Sequence, residues 1–183
     1  KNTASISGIK IGSTIDEVHN IMKEKVQETY GEKNSLVEYY SDDINVVYQM
    51  KNNTYYVTSI STRGRLKTNT QIKIGDDLRK VVESYTKNNK LSKINKNTYN
   101  DGLVLYGNDD AVNLKDLDGY VINSSSGKKA YYLLNCYTPG SIEQDYNVSS
   151  LLYFDDNVCM EYSIEDGKVA NIDLSLREDT SEY

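Results

Sequence analysis

The chain has 183 residues and carries 21 basic and 27 acidic side chains, giving a formal charge of −6. This acidic balance offers no broad positive field, so it disfavours nucleic acid and anionic membrane surfaces as partners. The composition, 38% hydrophobic and 26% charged, is typical of a folded protein and excludes a disordered chain. The length suffices for one medium domain or two small ones.

The start of the chain is mostly polar. Residues 1–7 are interpreted as a polar tether, and residues 179–183 as a polar tail. No stretch approaches the roughly 18 apolar residues that a membrane helix needs. We therefore expect an extracellular or cell-surface protein, with its export signal removed, that touches a membrane only through an N-terminal lipid anchor.

A ten-residue pattern occurs twice, at residues 9–18 and 72–81, with an offset of 63. In each copy two apolar residues flank a lysine, a glycine breaks the extended segment, and polar capping residues precede an apolar stripe. The stripes have helical spacing and comprise Ile15, Val18, Met22 and Val26, then Leu78, Val81, Val82 and Tyr85. Thr14 and Glu17 have capping-box spacing, and Asp76 or Asp77 can cap the second helix.

A second match, residues 39–63 with 153–177 at an offset of 114, predicts a short strand, a turn and a long hairpin in each copy. A two-residue loop at 166–167 would set Met160 beside Asp173, a poor core pair, so a three-residue loop is favoured. The longer loop pairs Tyr162 with Ala170, Met160 with Ile172, Val158 with Leu174, Tyr48 with Tyr56, Val46 with Thr58 and Ile44 with Ile60. It places Val57 and Val169 on the faces opposite the core.

Together these matches predict an α+β fold of two tandem units, each a helix packed on an antiparallel β-sheet. The first unit covers residues 8–66 and the second covers residues 67–178. Because the two offsets differ by 51 residues, the second unit is enlarged by an insertion at about 97–148. Strand-like runs at 103–106 and 131–134 predict that the insertion extends the second sheet.

The glycine turn, the capped helix and the terminal hairpin resemble those of two groups. These are the tandem-repeat β-lactamase inhibitor proteins (BLIP-like) and the small outer-membrane assembly lipoproteins of the SmpA/OmlA type. The resemblance rests on Ile11-Gly12 with Val18, on Ile74-Gly75 with Val81, and on residues 162–172 around Asp166-Gly167. The chain is also similar to repeat domains of exported proteins of low-GC Gram-positive bacteria. The resemblance implies a non-catalytic envelope or exterior protein with a sheet surface for a protein partner; β-lactamase inhibition does not carry over, because no inhibitory contact residue matches.

The sequence offers little for catalysis. His19 is the single histidine, and no nucleophile-elbow glycine pattern accompanies it, so we interpret it as a solvated helix residue. One histidine and two cysteines 23 residues apart do not form the ligand set of a zinc site. We predict no catalytic residue, no metal and no cofactor.

The two cysteines, Cys136 and Cys159, both lie in predicted strands. In an oxidising compartment they could bridge neighbouring strands and stabilise the fold by about 2–4 kcal/mol. The alternative is a pair of partly buried thiols. A bridge requires Cα atoms within about 7 Å of each other.

Acidic clusters occur at 42–43, 109–110, 116–118 and 155–156. Calcium requires six to eight oxygens, and a calcium loop ending at Gly119 would need acids where Leu114 and Ser125 stand. We interpret these clusters as solvated turns. An extracellular carboxylate-dependent hydrolase remains an alternative function, and it predicts a deep cleft lined by at least two acids with raised pKa.

Tyrosine is abundant, with 17 residues beside one phenylalanine and no tryptophan. The doublets 39–40, 55–56 and 131–132 each place one ring on either face of a strand. Exposed rings would serve as protein-interface or carbohydrate-stacking anchors; the alternative is that tyrosine simply replaces phenylalanine.

We therefore expect a binding protein that engages another protein through the sheet faces opposite the helices. The predicted contacts are Val47, Tyr55, Val57 and Glu161. A structural spacer of a surface lipoprotein is the further alternative.

Overall fold

The computed structural model describes residues 4–86, 102–107, 119–123, 129–133, 148–155 and 158–176. The elements are α1 (Ile15–Met22), β1 (Glu28–Glu32), β2 (Ser35–Tyr40), β3 (Ile44–Lys51), β4 (Thr54–Thr62), α2 (Leu78–Thr86), β5 (Gly102–Gly107), β6 (Gly119–Asn123), β7 (Lys129–Leu133), β8 (Val148–Asp155), β9 (Val158–Glu165) and β10 (Lys168–Leu176). The capping box is confirmed, since the Thr14 hydroxyl accepts from Glu17 N at 3.3 Å and the Glu17 carboxylate accepts from Thr14 N at 2.8 Å. Asp77 caps α2 through Arg79 N at 2.9 Å.

All ten described strands belong to one antiparallel sheet, in the order β1, β2, β3, β4, β10, β9, β8, β5, β7, β6. The predicted α+β fold of two units, each a helix on its own sheet, is therefore wrong. β4 and β10 pair along their edges, and Ile60 lies opposite Leu174, the residue matched to it at the offset of 114. Separate sheets would leave unpaired N–H and C=O groups on both strands, and this pairing satisfies them.

The helices are minor elements of this fold. α1 has 8 residues and α2 has 9, so each is only about 12–14 Å long at 1.5 Å per residue. α1 packs Val18, which is fully buried, onto the sheet near β4. The architecture is consequently dominated by the sheet.

The repeated glycine turns dock on the sheet by identical backbone contacts. Gly12 N donates to Val57 O and Val57 N donates to Ser13 O, both at 2.8 Å. Gly75 N donates to Val169 O at 2.8 Å, and Val169 N donates to Asp76 O at 2.9 Å. Both glycines have φ near +90°, a conformation that other residues rarely adopt. Each turn thus occupies the stretch of strand edge that the β4–β10 pairing leaves open.

Both long hairpins close with two-residue turns, so the predicted three-residue loops are wrong. All four turn residues, at 52–53 and 166–167, have positive φ, as a type I′ turn requires. One unpaired residue then interrupts each ladder, Thr58 in β4 and Ala170 in β10. Such a β-bulge shifts the register by one residue. Tyr48 therefore pairs with Val57 and Tyr162 with Ile172, in place of the predicted partners.

The bulges decide which side chains are buried. Val57 and Val169, predicted on the opposite faces, are 1% and 2% exposed and belong to the core. The face of the sheet that carries the core is called here the covered face. Its fully buried large side chains are Tyr48, Tyr162, Ile44, Ile60 and, from the segments packed on it, Ile6, Ile9, Ile72 and Leu78.

This assignment of faces predicts a contrast between two valines. Val57→Ala should lower the free energy of unfolding by about 1–3 kcal/mol, because two buried methyl groups are lost and a cavity remains. Val47→Ala, at a half-buried position on the other face, should cost less than half as much. Urea denaturation followed by circular dichroism measures both. Equal losses would contradict the bulge at Thr58.

The sheet continues beyond β8 through β5, β7 and β6. The strand-like run predicted at 103–106 lies within β5, and the run predicted at 131–134 overlaps β7 at residues 131–133, with residue 134 outside the described residues. β6 lies in a part of the insertion without a predicted strand. Neither helix of the described ranges is long and apolar enough to span a membrane.

Candidate functional site

The face of β1–β4 turned away from α1 is called here the open face. The pairing registers bring its side chains into rows across the four strands. They are Glu28, Tyr30, Glu32, Ser35, Val37, Tyr39, Asn45, Val47, Gln49, Lys51, Thr54, Tyr56, Ser59 and Ser61. Most are exposed or half-buried, so this face is available to a partner.

Two tyrosines in contact lie on the open face near its β1 edge. The rings of Tyr30 and Tyr39 meet edge to face with centroids 5.4 Å apart. They are 57% and 38% exposed, although large aromatic side chains usually bury most of their area. The Tyr30 hydroxyl donates to the Glu28 carboxylate at 3.1 Å, and this hydrogen bond raises the pKa of the Tyr30 phenol. Together with Val37 and Glu32, these residues make up the tyrosine patch.

The structure separates the four predicted contact residues. Val47 lies on the open face, half-buried, and Glu161 lies on the same face of β9. Tyr55 instead packs against the core with its ring centroid 6.5 Å from that of Tyr48, and Val57 is buried in the core. Because of the bulge, Tyr56 takes the open-face position that was predicted for Tyr55.

Glu161 has an acidic neighbour across the strands, Asp173 of β10. Burial raises the pKa of Asp173, although Asn171 and Ser61 donate hydrogen bonds to its carboxylate and Arg63 is near. The hydrolase alternative requires a cleft at such a pair. Three open grooves among the described residues, at the N-terminal segment, at Tyr56 and at Tyr30, lie elsewhere, and Glu32 is the single acid in the linings of these three.

A buried carboxylate lies on the covered face, at Glu38 of β2, which is 4% exposed. One of its oxygens accepts from the Tyr48 hydroxyl at 2.6 Å and from the Tyr40 hydroxyl at 3.2 Å. His19 Nε2 lies 2.9 Å from both carboxylate oxygens. Burial, followed by the hydrogen bonds and charge of Glu38, raises the pKa of both phenols strongly. We call these four residues the Glu38 cluster.

The Glu38 cluster corrects the interpretation of His19 as a merely solvated helix residue. Its side chain is 45% exposed, yet its Nε2 is within hydrogen-bond distance of the Glu38 carboxylate, and this contact joins α1 to β2. Because the carboxylate is enclosed by the two phenols and the imidazole, its geometry favours a structural role over contact with a substrate. Within the described ranges, no group of three or more histidine, cysteine, aspartate or glutamate side chains could hold a metal ion.

The remaining predicted features fall partly outside the described residues. Cys159 is 8% exposed in β9, whereas Cys136 lies outside the described ranges, so the disulfide stays a prediction. Asp42 and Asp43 form a turn with positive φ, and Asp42 accepts from Arg65 Nη1 at 2.6 Å. The acidic clusters at 109–110 and 116–118 also lie outside the described ranges.

Comparison of the chain with protein-family models, with curated proteins and with solved structures gives no match in any of the three. The resemblance to the β-lactamase inhibitor proteins and to the SmpA/OmlA lipoproteins therefore stays a prediction, and so do the compartment and the absence of catalysis.

Sequence reasoning missed the open-face residues Tyr30 and Val37 and the buried Glu38. A signal for Glu38 existed, because it alternates with Leu36 and Tyr40 at the apolar phase of a strand. Tyr30 carried no comparable signal, since β1 is exposed along its whole length.

Proposed function

We propose that this chain is a non-catalytic binding protein of the cell exterior or envelope that holds a cationic segment of a protein partner on its tyrosine patch. The observation that carries the proposal is the exposed pair Tyr30 and Tyr39, held edge to face beside two glutamates. Tyrosines in this setting are typical anchors of protein interfaces.

The charge of the patch favours a basic partner. Glu28 and Glu32 supply two negative charges. Lys33 in the adjoining turn supplies one positive charge, so the net charge of the region stays negative. A lysine or arginine side chain can meet a carboxylate and also the face of a tyrosine ring, a cation–π contact worth about 0.5–1 kcal/mol at an exposed site. The overall charge of −6 adds long-range attraction for such a segment.

A photo-crosslinking experiment tests the proposal. A benzophenone amino acid at position 30 should crosslink to a protein from the envelope of the producing organism, and the site of attachment, read by mass spectrometry, should be a Lys- or Arg-rich segment. Charge reversal of the patch, Glu28→Lys with Glu32→Lys, should reduce the crosslinked product by at least about tenfold, since the attraction becomes repulsion.

The matched control places the benzophenone at Ile21, which is 40% exposed on α1. Equal products from positions 21 and 30, or a product at position 30 that charge reversal leaves unchanged, would contradict the proposal. Crosslinking to an acidic or uncharged segment would contradict the assigned partner chemistry.

A further inference from the structure

A second groove lies on the open face, at the tip of the β3–β4 hairpin. It has a volume of about 480 Å³ and is lined by Gln49, Lys51, Asn52, Tyr56 and Thr58, which we call the Tyr56 groove. Gln49 and Tyr56 are direct cross-strand partners, so the carboxamide lies beside the ring. The bulge at Thr58 and the type I′ turn at Asn52 shape the two ends. The groove is therefore formed by the hairpin alone.

The polar groups of the groove are uncommitted. Among the described residues, the side chains of Gln49, Lys51, Asn52 and Tyr56 make no hydrogen bond or ion pair with the protein. Only the Thr58 hydroxyl is engaged, donating to Val47 O at 3.3 Å. The groove thus presents two carboxamides, each a donor and an acceptor, and one ammonium group around the phenol ring of Tyr56.

We propose that the Tyr56 groove binds an acidic sugar, a pyranose that carries a carboxylate. The electron-rich face of the Tyr56 ring attracts the electropositive C–H groups of a pyranose face. The carboxamides of Gln49 and Asn52 can each donate to one sugar hydroxyl and accept from its neighbour. The Lys51 ammonium, the single charge in the lining, meets the carboxylate.

The charge of its lining separates this site from the proposed protein-binding patch. The lining of the Tyr56 groove carries a positive charge and no acid, whereas the tyrosine patch carries Glu32 and, hydrogen-bonded to Tyr30, Glu28. A proline-rich peptide is the competing occupant of an aromatic groove, but such peptides dock between several aromatic side chains, and this lining has one.

Nuclear magnetic resonance titration of the ¹⁵N-labelled chain tests the proposal with three probes: sodium glucuronate, glucose and a proline-rich peptide. Glucuronate should give saturable shifts at residues 49–52 and 56–58, and glucose weaker shifts at the same residues. Tyr56→Ala should weaken glucuronate binding about three- to tenfold. Lys51→Gln should reduce the affinity for glucuronate to that for glucose and leave glucose binding unchanged.

Tyr39→Ala is the matched control, because it removes an open-face tyrosine outside the groove and should leave glucuronate binding unchanged. If Tyr56→Ala fails to fold, Gln49→Ala and Lys51→Gln, both at exposed positions, carry the test. Absence of saturable shifts, shifts confined to other residues, or groove shifts with the peptide alone would each overturn the proposal. None of these outcomes bears on crosslinking from position 30.

Discussion

Glu38→Ala is expected to lower the free energy of unfolding by about 2–6 kcal/mol. The substitution removes the acceptor of the Tyr40 and Tyr48 hydroxyls, which are 4% and 0% exposed and would be left buried with only each other as hydrogen-bond partners. Each such group costs about 1–3 kcal/mol, because folding then strips its water without replacing the hydrogen bond. Denaturation by urea, followed by circular dichroism, measures the loss.

Two further variants separate this mechanism from a general effect of losing a glutamate. Glu28→Ala, at an exposed position of the open face, should change stability by no more than about 0.5 kcal/mol. The triple variant Glu38→Met, Tyr40→Phe and Tyr48→Phe removes all three polar partners and should recover much of the stability lost in Glu38→Ala. A triple variant no more stable than Glu38→Ala would contradict the role assigned to the unsatisfied hydroxyls.

Alkaline pH is expected to destabilise the protein steeply through the same cluster. Burial raises the pKa of Tyr40 and Tyr48 in the folded chain, whereas phenols of the unfolded chain ionise near pH 10. Above pH 10 the unfolded state therefore binds fewer protons than the folded state, so stability falls as the pH rises. The slope is at most about 1.4 kcal/mol per pH unit for each phenol, and below pH 10 these two groups contribute no slope.

Urea denaturation at pH 9, 10, 11 and 11.5 measures this slope. The double variant Tyr40→Phe with Tyr48→Phe should be less stable than wild type at pH 9, because hydrogen bonds to Glu38 are lost. Its free energy of unfolding should nevertheless fall less steeply above pH 10. Comparison with wild type cancels the contribution of the lysines to the slope, since their side chains also lose protons in this pH range. Tyr39→Phe, on the open face, should keep the wild-type slope. If the stability of the double variant falls as steeply with pH as that of wild type, other groups cause the loss of stability at alkaline pH.

Local features of the fold were predictable because neighbouring residues determine them. Thr14 and Glu17 form the expected capping box, since both partners lie within one helical turn. The period-two alternation of Ile44, Val46 and Tyr48 correctly places these three side chains on the covered face. Long-range partners were not predictable in the same way. Glu38 lies at a recognisable core phase, but two of its three partners, His19 and Tyr48, come from α1 and β3.

The predicted contact surface was partly wrong for a reason that lies in tertiary structure. Tyr55 and Val57 were assigned to the open face by extending the alternation of β4 through Thr58 without interruption. The chain inserts a bulge there, and the backbone of Val57 is held by Gly12 and Ser13 from a turn more than forty residues earlier. No feature within the hairpin specifies that contact. The same arrangement, with Gly75 and Asp76, moves Val169 into the core.

The sequence by itself determined the caps, the type of the long hairpin strands, the phase of β3 and β9, and the two glycine turns, because each depends on residues a few positions apart. Tertiary structure alone decided that β4 and β10 join into one sheet, that Tyr56 rather than Tyr55 faces outward, and that Tyr30 and Tyr39 meet on the open face. These outcomes depend on which strands pair with one another along their edges. An unpaired edge costs free energy wherever it lies, so the whole chain, and not a local segment, selects the pairing.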